Sequence, residues 1–241
     1  MLDSINIILS HTSHPGNIGA AARAMKTMGL SKMILVKPKN FPSFEATVRA
    51  SKADDVLSEA RVFETMDDAL KEFTVIVGCS ARSRHLDVPV LTAREISEKI
   101  VTDYHSQSVA VMFGTENAGL TNEELSRCHY HVYIPANPDY SSLNLASAVQ
   151  LISYELRVAV LGNSAKDIEG EKVERVTAEQ MEGFYQHLEQ TLVDTGYHNR
   201  DHPKMLMSRL RRIYNRVTPD NSEMQILRGI LSSIQKTLNK Q

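Results

Sequence analysis

The sequence predicts an α/β domain built on a largely parallel sheet, followed by a small all-helical extension. Three observations predict it. Short apolar runs alternate with helical patterns as far as about Leu161. Glycines cluster at the junctions of these elements. Beyond residue 176 the strand pattern disappears and helical segments remain.

The strand candidates are Ile5 to Leu9, Met33 to Val36, Thr74 to Gly78, Val109 to Phe113 and His131 to Ile134. Continuous apolar runs of this kind suit strands covered on both faces, the situation in a parallel sheet with crossover helices. A first helix is expected from about Asn17, with Gly29 as its C-terminal stop. Six of the eleven glycines, Gly16, Gly19, Gly29, Gly78, Gly114 and Gly119, fall in or beside the junctions, where parallel sheets place their ligands. Thr121 and Glu124 make a capping box ahead of Leu125. A long apolar helix is expected from Leu143 to Leu161, with Ser141 and Ser142 as natural caps and Asn144 in its first turn. Residues 162–176 are polar and glycine-punctuated and read as a linker, which sets the domains at 1–161 and 177–241. Three helices then begin near Thr177, Pro203 and Pro219. Thr177 with Gln180 forms a second capping box, and Thr218 caps ahead of a proline at the first helical position.

Composition narrows the function. The 241 residues are 42% hydrophobic, with 27 basic and 29 acidic side chains, which is globular rather than disordered. The longest uninterrupted apolar stretches fall far short of the ~18 residues that cross a bilayer. The start Met1-Leu2-Asp3-Ser4-Ile5-Asn6 lacks the features of a secretory signal, so a cytoplasmic address without a membrane is expected. The two cysteines, Cys79 and Cys128, are too far apart for a C-x-x-C site, and His11 with His14 lies in a loop rather than on a rigid helix. No metal is expected. The glycine fingerprints of dinucleotide and nucleoside-triphosphate sites are absent.

Four constellations could carry chemistry. After the first strand comes His14-Pro15-Gly16-Asn17-Ile18-Gly19-Ala20-Ala21-Ala22-Arg23, in which Gly16, Gly19, Ala20, Arg23 and Thr27 share one helix face. Arg23 is expected to rise from a bare surface, near free amides at the helix start that an anion could use. The bland alternative is a tightly packed helix with an ordinary salt bridge. The strand ending at Gly78-Cys79-Ser80-Ala81 runs into Arg82 and Arg84, and the strand ending at Phe113 runs into Gly114-Thr115-Glu116-Asn117-Ala118-Gly119. The fourth constellation is Ile134-Pro135 through Ser141-Ser142-Leu143-Asn144. In the tail, Arg200, Lys204, Arg209, Arg211, Arg212 and Arg216 form the most basic stretch, with Tyr197 and Tyr214 interleaved. That stretch could engage phosphates and stack on bases, or it could be a solvated face balanced by acids elsewhere.

Taken in order, Asn17 to Arg23, Phe113 to Leu120 and Ile134 to Ala146 resemble the three motifs of the SPOUT methyltransferases, in the branch that methylates the 2′-oxygen of tRNA and rRNA. The likeness covers about residues 5 to 155, and the tail matches by layout and basic character. The resemblance implies a C-terminal trefoil knot in the α/β domain, a homodimer, and S-adenosyl-L-methionine as methyl donor. It assigns donor binding to Cys79, Ser80, Ala81, Gly114, Glu116, Ile134, Ser141, Ser142 and Leu143. It assigns catalysis to Arg23, Glu116, Ser142 and Asn144, with Arg23 acting in a site completed by the other subunit. For members with such a helical tail it implies tRNA as partner, and as target the ribose of cytidine or uridine at position 32 of the anticodon loop. RNA contacts are expected from Arg23, Arg82, Arg84, Arg209, Arg211 and Arg212.

A guanidinium has a pKa above ~12 and carries only donors, so the expected work of Arg23 is to clamp a phosphate and stabilise an oxyanion. A phosphate oxygen, a water or the Ser142 hydroxyl would then take the proton. Two other readings use the same residues: a SPOUT enzyme acting on rRNA or another tRNA site, and an RNA-binding adaptor without catalysis.

Overall fold

The computed structural model describes residues 1–81, 88–163, 175–203 and 205–238. It divides into two compact units, Met1–Glu171 and Lys172–Gln241.

In the first unit, seven strands form one sheet: β1 (Ile5–Ser10), β2 (Lys32–Val36), β3 (Arg61–Phe63), β4 (Val75–Cys79), β5 (Val90–Thr92), β6 (Val109–Phe113) and β7 (Tyr130–Tyr133). Every pairing is parallel, and the spatial order is β3-β2-β1-β6-β4-β7-β5. The five expected strands are present to within one or two residues. The two unforeseen ones, β3 and β5, are three-residue edge strands that are half-exposed to exposed, so they lack the buried apolar run that marks a central strand. β1, β4 and β6 are buried throughout.

The helices are α1 (Pro15–Met28), α2 (Phe44–Ala50), α3 (Asp54–Ser58), α4 (Met66–Leu70), α5 (Ala93–Asp103), α6 (Asn122–Ser126) and α7 (Leu145–Asn163). One face of the sheet, through Ile5, Ile7, Leu9, Val75, Val77, Val109 and Val111, shares a core with Ile18, Met25, Ala46, Ile96, Val149 and Ile152 of α1, α2, α5 and α7. On α1, Gly29 does end the helix, at φ 83° with its amide on the Lys26 carbonyl. The Thr121–Glu124 capping box opens α6 as expected.

Three local expectations change. Gly78 is required for packing: a Cβ there would lie 2.7 Å from Cys128 Sγ and 2.8 Å from Leu125. The small face of α1 is not bare. A Cβ on Gly19 would sit 2.0 Å from the Ala46 carbonyl oxygen, so two helix backbones meet there and α2 covers that part of the face. The start of α7 is capped by Asn144 instead of Ser141 or Ser142. Its Oδ1 accepts from the Ala146 amide at 2.9 Å, and its carbonyl accepts from the Ala148 amide at 2.9 Å.

By length and composition α7 could cross a bilayer, although no uninterrupted apolar run suggests it. In the fold, Val149, Ile152 and Leu156 of α7 are instead buried in the core shared with α1 and α5.

The second unit holds α8 (Ala178–Asp194), α9 (Leu206–Val217) and α10 (Asn221–Leu238). The Thr177–Gln180 capping box opens α8 as expected. Thr218, expected as a cap, instead ends α9 at φ 45°, and Asp220 caps α10 by accepting from the Glu223 amide at 2.8 Å. Met181, Phe184, Tyr185 and Leu188 of α8 form a core with Met224 and Leu231 of α10.

Candidate active site

The strand register explains why one end of the sheet is a site. Leu9, Phe113, Cys79 and Val132 stand side by side in one row across β1, β6, β4 and β7. The chain beyond that row therefore issues from three adjacent strands at one level: Gly114 after β6, Ser80 after β4, Ile134 after β7. Loops leaving neighbouring parallel strands at their C-terminal ends must meet, and the crevice between them is where such sheets bind ligands.

A cleft opens there. Cys79, Ser80, Ala81, Gly114, Glu116, Ile134, Ser141, Ser142 and Leu143 all line it, so every residue expected to bind the donor is brought to one place. Phe113, Leu145 and Ala148 add apolar wall. Two of the loops are held rigidly. After β6 the chain doubles back on itself, with the Gly119 amide on the Thr115 carbonyl at 2.8 Å and Gly119 at φ 67°. A Cβ on Gly114 would lie 2.0 Å from the Gly119 carbonyl carbon, so only glycine fits. After β4, the Ser80 amide donates to the Val132 carbonyl at 3.0 Å, and buried His131 donates through Nε2 to the Ser80 carbonyl at 3.2 Å.

Glu116 ties the loop after β6 to the start of α1. Its carboxylate accepts from the Ser13 amide at 3.2 Å, the Ser13 hydroxyl at 2.9 Å, the His14 amide at 3.2 Å and Asn17 Nδ2 at 3.0 Å. Asn144 Nδ2 in turn donates to Asn17 Oδ1 at 3.1 Å. Partial burial would raise the Glu116 pKa, but the Asn17 side chain and the surrounding amides more than offset this and lower it from the ordinary 4.5 to about 2. The start of α1, expected to offer its amides to an external anion, is thus occupied by this internal carboxylate. The parts played by Ser13, Asn17 and His131 are not among the sequence expectations. The signal for Asn17 is its place in the first turn of the helix that follows β1, six residues ahead of Arg23. Nothing in the sequence pairs His131 with Ser80.

The remaining expected residues are spread more widely. Arg23 is exposed on α1 and does not line the cleft of its own chain, and among the described residues it has no ion pair. Arg82 and Arg84 lie outside the described residues. Arg209, Arg211 and Arg212 belong to α9 in the second unit. There Arg211 is already engaged: it pairs with both Glu182 oxygens at 2.6 and 2.8 Å and stacks 4.4 Å from the Tyr185 ring centre. Arg209 and Arg216 are exposed. The Cys79 thiol is pushed up to about 12 by burial, so it is neutral and a poor nucleophile. No group of three His, Cys, Asp or Glu is gathered as a metal site among the described residues.

The cleft suits S-adenosyl-L-methionine. Ile134, Leu143, Leu145 and Ala148 offer apolar surface for a purine, while the strand-end main chain offers hydrogen-bonding groups beside it.

Comparison with known proteins agrees with this architecture. The SpoU rRNA Methylase family matches residues 4–154, and the family described as tRNA methyltransferase TrmJ, C-terminal domain, matches residues 179–241. The tRNA (cytidine/uridine/adenosine-2'-O-)-methyltransferase TrmJ of Pseudomonas aeruginosa is 49% identical, over 98% of this chain and 95% of that one. The crystal structure of TrmJ from Z. mobilis superposes with a TM-score of 0.81 at 32% identity, covering 95% and 98% of the two chains. An AdoMet-bound rRNA methyltransferase from Sinorhizobium meliloti, at 25% identity, gives a TM-score of 0.51 over 64% of this chain and 56% of its own. With the motif loops gathered in one cleft and the family match spanning most of the α/β unit, the chain belongs to the SpoU methylase family and carries the helical C-terminal domain of the TrmJ methyltransferases.

Proposed function

We propose that this chain transfers a methyl group from S-adenosyl-L-methionine to the 2′-oxygen of tRNA, at cytidine or uridine in position 32 of the anticodon loop. The observation that carries the reading is the convergence of three strand-end loops, with all nine expected donor-binding positions, in one cleft. The 49% identity to a tRNA 2′-O-methyltransferase along nearly the whole chain supports tRNA over rRNA as the substrate. The knotted path implied by the motifs and a cytoplasmic location belong to the same reading.

When bound, the donor supplies an electrophilic methyl group on a sulfonium. The residues of this chain do the rest. Main chain at 79–81, 114–116 and 134 with 141–143 holds the donor, and apolar side chains exclude water from it. Glu116 acts as a positioning residue: an ionised carboxylate with a pKa near 2 is a weak base, but it locks the loop after β6 to the start of α1. Asn144 and Asn17 extend that lock to the start of α7. Arg23 grips the phosphate beside the target ribose and stabilises negative charge developing on the 2′-oxygen. A phosphate oxygen or water receives the proton, directly or relayed by the Ser142 hydroxyl, which is exposed at the mouth of the cleft.

Arg23 does not line its own chain's cleft, so the reading includes a homodimer in which a second copy delivers it. The stripe Leu151, Tyr154, Val158 and Leu161 on α7, between 40% and 61% exposed, is the apolar surface such a partner would cover. Sedimentation of the full-length protein is expected to give a dimer, which Leu151→Glu with Val158→Glu converts to monomer.

The activity is tested by incubating the protein with S-adenosyl-L-methionine and bulk tRNA lacking the modification, then mapping the product by mass spectrometry. A 2′-O-methylated cytidine or uridine at position 32 is expected. Methyl on a base nitrogen, or at another position alone, contradicts the proposal.

A further inference from the structure

A second surface lies beside the cleft, on the segment that leaves β2. Its loop is tied to the wall of the site. The Lys39 amide donates to the Thr12 carbonyl at 3.1 Å, immediately before Ser13 and His14, which hold Glu116. The Lys37 amide donates to the Phe63 carbonyl at 3.0 Å. α2 is then fixed against α1 by the backbone contact of Ala46 with Gly19, with Glu45 and Arg49 packed beside Gly16.

That anchoring decides what α2 presents outward. Ala46 and Ala50 are buried, so the opposite face carries Phe44 and Val48, which are 84% and 58% exposed. A phenyl ring left so open adds nothing to the core. On the same segment Lys37, Lys39 and Arg49, whose stem lies beside Gly16, and on α1 Arg23, are exposed and form no ion pair among the described residues. Elsewhere in the unit Lys26, Arg61, Arg94, Lys99 and Arg127 are each paired with a carboxylate, while exposed Lys32, Lys52 and Lys71 form no ion pair among the described residues but lie beside no comparably open aromatic ring of their own segment. The acid on the same segment, Glu45, lies against Gly16.

Resting on the RNA-methyltransferase reading above, we propose that this segment is a single-stranded RNA platform: Phe44 stacks on an unpaired base near the target, while Lys37, Lys39 and Arg49 hold the flanking phosphates. Cations and an open aromatic ring on one short segment are what single-strand binders use, since any base offers a face to stack and the backbone supplies the charge. A protein partner would instead call for a broader apolar surface than Phe44 and Val48 provide. Duplex RNA is a poor fit because its bases are already stacked.

The test is steady-state methylation of an anticodon stem-loop by the full-length protein at several salt concentrations. Phe44→Ala should raise KM for RNA about 10-fold and leave the Kd for S-adenosyl-L-methionine unchanged, with Phe44→Trp restoring KM. Replacing Lys37 and Lys39 together by Gln should flatten the plot of log KM against log salt by about 1.4, roughly 0.7 for each single-strand phosphate that is no longer neutralised. A KM within about twofold of wild type for Phe44→Ala, or an unchanged slope for the double variant, overturns the platform. These outcomes are distinct from failure of the underlying reading, in which the wild-type protein itself transfers no methyl to RNA.

Discussion

In the unit Met1–Glu171 the cleft wall is laid down by small and apolar residues at three neighbouring strand ends, and its one charged residue, Glu116, is consumed in holding the wall together. In the helical unit Lys172–Gln241 the charged side chains hold helices to one another: Arg211 spans from α9 to Glu182 and Tyr185 on α8, and Arg175 donates to the Thr218 carbonyl. The contrast concerns what each unit has left for a partner. The cleft has no Lys or Arg among its lining residues, which leaves the cations of this unit outside, where RNA can reach them. A small helical unit with a thin core must use part of its charge for cohesion.

The sharpest way to break this comparison is at Arg23, the cation assigned to the chemistry. Arg23→Lys is expected to lower kcat/KM by about 100-fold, because a point charge cannot reproduce a two-pronged grip on phosphate and oxyanion. Near-native turnover for lysine would show that charge alone suffices.

Removal of the helical unit after Asn163 probes the division of labour. Donor affinity is expected to stay within about twofold, while tRNA affinity falls about 10-fold or more and its salt dependence becomes shallower. Equal tRNA binding with and without the tail would assign all RNA contact to the α/β unit.

A smaller effect is expected at Glu116. Glu116→Ala strands the Ser13 and His14 amides and Asn17, so thermal unfolding should show a loss of about 1–3 kcal/mol, with weaker donor binding. The sign with pH follows from its depressed pKa. Its contribution is fully present above about 4.5 and is lost as pH falls toward about 2. Glu116→Gln should therefore flatten the acid limb of stability between those values, and an identical acid limb in wild type and variant would contradict the assigned tie.

The smallest effect separates the arginines of α9. Arg211→Met should cost about 1 kcal/mol of stability in the helical unit with little direct loss of tRNA affinity, since its ion pair and ring contact are partly exposed. Arg209→Gln should do the reverse. Filter binding and thermal melts on the two variants distinguish them.

The same contrast marks what can be read from the sequence. The five central strands and the loops that line the cleft are legible because parallel strands buried on both faces leave uninterrupted apolar runs, and loops from adjacent strand ends leave glycine and small residues; the assignment of particular positions to a donor comes from the family resemblance. The edge strands β3 and β5 leave no such trace, being short and partly exposed. The role of Glu116 is not legible, because its partners Ser13, His14 and Asn17 are about a hundred residues away and meet it only through the strand order β1-β6. Nor does spacing reveal that α2 closes over Gly19, or that Arg211 is taken by Glu182. Each depends on a long-range neighbour, which a local pattern does not encode.

Loops from three strand ends, without the helical unit, make one binding site for S-adenosyl-L-methionine. Calorimetric titration of the purified full-length protein with that donor tests it most directly. One molecule bound per chain, displaced by the demethylated product and retained when the tail is removed, is the predicted result; a folded protein that gives no heat with either compound would contradict it.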